Sequence, residues 1–398
     1  MTIQASAPPS TKSQALRSYD VADFPALTGL EEEWRFTPLK RLRGLVGGDG
    51  SRSQRGARGA ELELSEAQAA TGAVRHEYGD LPEGVAVSRI GRDDPRVGSV
   101  LTPFDRVSAL AHGGAAEALL VQVAADAVVG EPARLRVVGE GADALAFGHT
   151  FVEVGRFAEV TLVVEHTGSA TLADNVEVAV ADGAKLTLVT VADWADDAVQ
   201  AQHLKVRLGR DAKVVHVQVT LGGDLVRQYT SVEYTGRGGE AELYGVYFAD
   251  GGQHLEHRQL VDHNVPDCRS YVGYRGALQG EDAHTVWVGD VLIQAEAAGT
   301  DTYEINRNLL LTDGARADSV PNLEIETGEI AGAGHASATG RFDDEQLFYL
   351  MARGIPEGEA RRLVVRGFFA ELINKIPVEE LRERLGDAIE ARLSKAGA

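Results

Sequence analysis

From about residue 96 to 338 the chain alternates apolar and polar positions in short runs: ARLRVVGE, AEVTLVVEHTG, NVEVAVADG, KLTLVTVADWA, HLKVRLG, KVVHVQVTLGG and AELYGVYFADGG. A period of two, cut by Gly and Asp turns, predicts β-strands. No helix-length pattern intervenes, which argues against a doubly wound sheet. Four of the runs align at Ala158, Ala184, Ala212 and Gly239, at steps of 26, 28 and 27 residues. A small residue at a corner followed by an alternating strand, once per turn, is what a β-solenoid requires. The period is not the six residues of hexapeptide solenoids, and the repeat loosens after about residue 265. A β-sandwich with coincidental spacing is the competing reading.

The flanks read differently. Residues 1–18 read as a disordered tail, and residues 19–95 as a region of short helical pieces. Its stretch LTGLEEEWRFTPLKRLRGL places acids before bases, as a helix dipole favours, with Pro38 interrupting. A Gly/Ser/Arg loop at 47–59 and a helical piece, LSEAQAATGA, follow. Residues 339–398 are predicted as three helices. Asp343 caps the first with Gln346 three residues on, Gly354 stops it and Pro356 prevents continuation. The second presents Ala360, Leu363, Val364, Gly367, Phe368 and Leu372 as its stripe. The third begins near Pro377 with Glu379 and Glu380 in its first turn and presents Leu381, Leu385, Ile389 and Leu393. These helices either cap the solenoid's open end or offer a docking surface.

Composition narrows the function. Apolar residues are 44% and charged residues 25%, a folded, soluble profile. No apolar run approaches the roughly 18 residues of a membrane helix, and the first residues lack the apolar core of a secretory signal. A cytoplasmic location is the expectation. With 60 acids against 39 bases, a net charge of -21 repels phosphate backbones, so nucleic acid is not an expected partner. The single cysteine, Cys268, excludes a disulfide framework and any cluster held by this chain's thiolates alone.

The run QHLEHRQLVDHNVPDC offers His254, His257, His263 and Cys268 as metal ligands. On a strand, His254 and His257 point to opposite faces, and His257 and His263 are separated by roughly 20 Å. Strand and turn structure is the better reading. Phosphate loops, nucleophile elbows and metalloprotease motifs are absent. His335 stands apart, a lone imidazole in IAGAGHASATG. It is either a structural histidine in the last turn or, with small neighbours that let something approach, a ligand completed by another chain.

The blocks EEWRFTPLKRL, QHLEHRQLVDHNVPDC, TDTYEINRNLLLTDGARADSVPNLEIE and GHASATGRFDDEQLFYLMARGI resemble the SufB/SufD family, scaffold components of Suf iron–sulfur cluster assembly. The resemblance runs from Trp34 to the C-terminal helices and is stronger to the SufD branch. SufB carries a cysteine about where Asn306 stands. The resemblance implies a right-handed parallel β-helix, with helical regions at both ends. It also implies a heterodimer with a SufB-like paralogue through strands near the end of the helix, and docking of a SufC-like ATPase on the C-terminal helical region. His335 falls where SufD-type members carry a histidine implicated in assembling the nascent cluster at the shared interface. This implies a transient metal-binding role, for which a neutral imidazole is needed. Two departures stand out: Ala333 replaces a frequent cysteine, and Val320 a frequent lysine. Asn322, Glu324 and Glu326 are the expected SufB-facing residues. Phe342, Phe348, Tyr349 and Arg353 are the expected SufC-facing ones, since aromatic and Arg side chains anchor interfaces. The resemblance implies a non-catalytic scaffold that leaves nucleotide to its partner. A β-helix carbohydrate lyase or hydrolase is the rival class, disfavoured by acid spacing that singles out no pair.

Overall fold

In a computed structural model, which describes residues 15–46, 73–342 and 344–395, the chain is a parallel β-solenoid of about eight turns with helices at its C-terminal end. β4 (Ala133–Val154) and β5 (Glu159–Val180) each run along two sides of a turn, with an irregularity in β4 between Gly141 and Leu145. Thereafter two parallel stacks alternate. One comprises β6 (Lys185–Trp194), β8 (Lys213–Thr220), β10 (Glu240–Ala249), β12 (Arg269–Leu278), β14 (Asp301–Leu310) and β16 (Gly332–Arg341). The other comprises β7 (Val199–Leu208), β9 (Leu225–Tyr234), β11 (His254–His263), β13 (His284–Ile293) and β15 (Arg316–Ile325).

Register explains the period. Glu159, Lys185, Lys213, Glu240, Arg269, Asp301 and Gly332 lie one above another, at steps of 26, 28, 27, 29, 32 and 31 residues. Before each of these strands sits a corner residue: Ala158, Ala184, Ala212 and Gly239, as the alignment predicts, and then Cys268, Thr300 and Ala331. The residue before the corner takes positive φ at Phe157, Gly183, Asp211, Gly238, Asp267 and Gly299. Asp and Gly dominate that column because they tolerate the left-handed conformation. At Gly239 a Cβ would lie 2.6 Å from the Tyr234 ring, so the corner there admits no side chain.

Inward positions of the early turns are filled by Val, Leu and Ala, including Leu135, Leu162, Leu188 and Val214, in one continuous core. The helices α2 (Asp344–Met351), α3 (Glu357–Ile373) and α4 (Glu379–Lys395) leave the solenoid's open end uncapped. α3 and α4 turn back along its outer face, packing on Val189, Val217, Val246 and Phe248. α4 buries the expected stripe Leu381, Leu385, Ile389 and Leu393. α3 buries Ala360 and Leu372 of the expected stripe, but Val365 and Phe369, outside it, pack on the sheet, and Leu363 is left 44% exposed. Consecutive apolar pairs at 364–365 and 368–369 give two overlapping stripes, and the flat sheet selects the one that includes Val365 and Phe369.

Among the described residues the region to residue 95 has no α-helix. It has two 3-10 turns, Val21–Asp23 and Leu39–Leu42, then strands β1 (Val74–Tyr78) and β2 (Val85–Gly91) that extend the sheet through β4 and β3 (Glu117–Val123). The predicted loop at 47–59, nearly all of the helical piece at 64–73, the tail to residue 14, and the Asp343 cap with the Gln346 side chain lie outside the described residues. The 3-10 segment is strapped to the second stack. Trp34 lies under the Arg227 guanidinium at 3.8 Å. The buried Glu256 accepts from Thr37 at 2.6 Å and from Arg258 at 2.6 Å, and lies 3.4 Å from Arg227. Burial pushes its carboxyl up, but Arg227, His254 and Arg258 outweigh it and hold the group well below the usual carboxylate range. α1 (Arg106–Gly114) was not expected. Its Asp105–Ser108 capping box is a legible start signal, overlooked because the helix has only 9 residues.

Candidate functional site at the solenoid rim

β15 and β16 are the two ends of the strand order, each paired on one side only among the described residues. In a parallel ladder, alternate residues turn both backbone groups to one neighbour. Arg316 and Glu326 donate to Ala283 and Ile293, so the even positions of β15 face β13 and the odd ones face outward. Pro321 is odd: its missing N–H costs the ladder nothing but leaves a gap in the outer edge. On β16, Gly332 and Phe342 donate to Thr300 and Leu310. Its outward positions are therefore Ala333, His335, Ser337, Thr339 and Arg341, with no proline among them.

The same odd positions carry the side chains that continue the solenoid interior. His335 is in register with Glu304, Ser337 with Asn306 and Thr339 with Asn308. His335 Nδ1 lies 3.8 Å from Glu304 Oε1; the imidazole is 43% exposed and the carboxylate buried. Room for that carboxylate comes from Gly289, where a Cβ would lie 2.3 Å from Glu304 Oε2. Asn306 donates to Tyr247 Oη at 2.8 Å, accepts from Ser319 at 2.8 Å across the two stacks, and accepts from Asn308 at 2.7 Å. Tyr247 Oη donates to Asn308 at 2.6 Å. Asn306 is thus a buried connector of Tyr247, Asn308 and Ser319, between the last turn and the interior. Further in, His257 meets Thr220 at 2.9 Å and stacks on Tyr247, and His216 meets Thr190 at 2.9 Å. Burial pushes these imidazoles down to about 3 and about 4, so both are neutral near neutral pH.

Asn322 lies on the outer face of β15 and donates to Asp290 at 2.8 Å; Glu324 is half-buried on the same face. Glu326 falls just beyond the strand, exposed in the turn. On α2, immediately after β16, Phe348 is 73% and Tyr349 56% exposed, and Arg353 covers the Tyr349 ring at 4.4 Å. Phe342 is half-buried beneath Arg361 at 5.0 Å. The four residues QHLEHRQLVDHNVPDC suggested for a metal are not gathered: His254 contacts His284 and Glu256 on the outer face, His257 and His263 point inward, and Cys268 closes a corner. Among the described residues no group of three or more His, Cys, Asp or Glu is placed to hold a metal. Sequence reasoning missed Glu304 and Asn308, whose places follow only from the 31-residue step onto β16.

Residues 136–368 match the family model described as SUF system FeS cluster assembly, SufBD core domain. The chain is 55% identical over 388 residues to iron–sulfur cluster assembly SufBD family proteins of Mycobacterium bovis and Mycobacterium tuberculosis, covering 96% of this chain and 93% of each relative. It is 28% identical over 293 residues to the iron–sulfur cluster assembly protein SufD of Bacillus subtilis, covering 72% of this chain and 65% of that one. No helix among the described residues is long and apolar enough to cross a membrane. A parallel solenoid ending in a polar, one-sided rim and a match over most of its turns agree: the chain belongs to the SufBD family of iron–sulfur cluster assembly proteins.

Proposed function

We propose that this chain is a SufD-type, non-catalytic scaffold subunit that builds a nascent iron–sulfur cluster together with a SufB-like paralogue and a SufC-like ATPase. The observation that carries the reading is the rim. β16 offers an unbroken outward edge whose backbone groups a partner strand would satisfy, and His335 stands in that edge beside Glu304. β15, interrupted by Pro321, flanks the contact with Asn322, Glu324 and Glu326. One imidazole and no thiol at the rim make an incomplete ligand set, so the partner supplies the remainder and the cluster is cargo of the pair. The exposed Phe348 and Tyr349 on α2 and Arg353 just after it are the surface for the ATPase, adjacent to the rim, so that movement of the helices reaches β16 through Phe342.

Co-expression with the two partners from the native host, followed by size measurement and iron and sulfide analysis, tests the reading. A three-protein complex carrying iron and sulfide is expected. A chain that purifies alone, or binds the ATPase without the paralogue, overturns it.

A further inference from the structure

At the other end of the solenoid, between the first turns, lies a cavity of about 350 Å³. An apolar cavity of roughly 150 Å³ holds one benzene, so this one suits a bicyclic ring system. Leu119, Leu162, Leu188 and Leu204 form its walls. Two polar groups deep inside have capacity to spare. His166 is 3% exposed, and its Nδ1 has no hydrogen-bond partner. A neutral imidazole offers one lone pair, on whichever ring nitrogen lacks the proton. Asp174 accepts from Gln200 at 3.2 Å and Gln202 at 2.7 Å, which leaves acceptor sites on both oxygens. Gly148, in register with Asp174, leaves the space above it open: a Cβ there would lie 3.1 Å from that of Asp174.

The mouth lies at Arg89 and Glu117, each more than half exposed and 3.7 Å apart. His76, also with an unpartnered Nδ1, stands between mouth and floor. It and His166 are both in register with Val137 on the strand between them, roughly 10 Å apart across two strand spacings. The interior therefore offers apolar walls and hydrogen-bond acceptors, and no cation within to balance an anion beside Asp174.

We propose that this cavity binds a small, largely apolar, neutral ring molecule that presents O–H or N–H donors to Asp174 and His166. The site is distant from the rim and does not depend on the scaffold reading. The probe is 2-naphthol, titrated into the full chain alongside 2-methoxynaphthalene, which lacks the donor, and 2-naphthoate, which is anionic. Saturable one-to-one binding of 2-naphthol is expected, with the methyl ether at least about ten-fold weaker, since it leaves a buried acceptor unpaired, and the naphthoate weaker still. The ring signal of His166, assigned by its loss in His166→Gln, shifts on addition of 2-naphthol to the unaltered chain. Leu188→Trp, which fills the cavity, abolishes binding if it folds, as judged by circular dichroism. His166→Phe narrows the preference for naphthol over its ether. Absence of binding, equal affinity for naphthol and ether, or an unmoved His166 signal each overturns the proposal.

Discussion

Glu304 and His335 occupy matching positions on the last two strands of one stack, with His335 Nδ1 3.8 Å from a buried Glu304 oxygen. The carboxylate fixes the electrostatic setting of an imidazole that is otherwise surrounded by Ala333, Gly334 and Ala336. Replacing His335 by Ala removes the only imidazole among the described residues of β15 and β16, and is expected to lower iron and sulfide content of the purified complex at least several-fold without dissociating it. Glu304→Gln keeps shape but loses the charge that favours a donor at Nδ1, and is expected to lower cluster content by less than His335→Ala. Unchanged cluster content in His335→Ala removes the residue from assembly.

Much of the solenoid was legible in the chain, and what was hidden has a physical cause. Ala158, Ala184, Ala212 and Gly239 gave away the period because a small corner precedes each strand. The repeat faded after residue 265 because the corner became Cys268 and then Thr300, and the step grew to 32 residues. The left-handed residue before each corner, from Gly183 to Asp267, is the steadier signal. Within the region read as helical pieces, Val74–Tyr78 is a strand only through its ladder with β4, and local patterns of mixed charge do not report such pairing. The orientation of α3 was hidden for a related reason: a helix with two apolar stripes takes its buried side from its neighbour.

The two free edges should behave differently. Ser337→Pro places a proline at an outward position of β16, as Pro321 already stands on β15, and removes an edge donor without breaking a bond to β14. The isolated chain is expected to keep its circular dichroism spectrum and size. Affinity for the SufB-like paralogue is expected to fall about 5- to 150-fold, since a lost main-chain bond that strands a partner's acceptor costs about 1–3 kcal/mol. Ala336→Pro breaks a ladder bond to β14 and serves as the contrast, destabilising the last turn itself. Equal partner affinity in Ser337→Pro and the unaltered chain places the contact elsewhere than β16.

The strap at Trp34 is predicted to depend on one carboxylate. Glu256 is buried among Thr37, Arg227, Arg258 and His254, so neutralising it leaves two guanidinium groups without their shared counter-charge. Breaking a buried pair on one side costs about 3–5 kcal/mol. Glu256→Gln is expected to lower the thermal midpoint and to speed amide exchange at Leu42 and Leu45, which the strap buries. A more local loss follows from Trp34→Ala, which removes the ring under Arg227. Unchanged exchange at Leu42 and Leu45 in Glu256→Gln would show that the segment is held by its apolar contacts alone.

Acid should weaken the solenoid before it protonates ordinary carboxylates. Burial pushes His166 and His216 down to about 4 and His257 and His263 to about 3, against 6.5 when unfolded. Between pH 6.5 and 4 the unfolded chain binds protons at these sites that the folded one does not, so stability falls as pH falls, by about 1.4 kcal/mol per unit for each group. Asp174 acts in the opposite sense: burial raises it to about 6, so the folded state takes up a proton there between pH 6 and 3.8, offsetting about one histidine. Glu256, held low by its cationic partners, adds its own loss below about pH 4.5. The thermal midpoint is therefore expected to drop steeply from pH 6.5 to 4. His216→Gln should flatten the drop by one proton, while Asp174→Asn steepens it. A midpoint independent of pH across that window would mean that these imidazoles are already protonated in the folded chain, which the Thr190 and Thr220 hydroxyls at 2.9 Å from His216 and His257 have no charge to support.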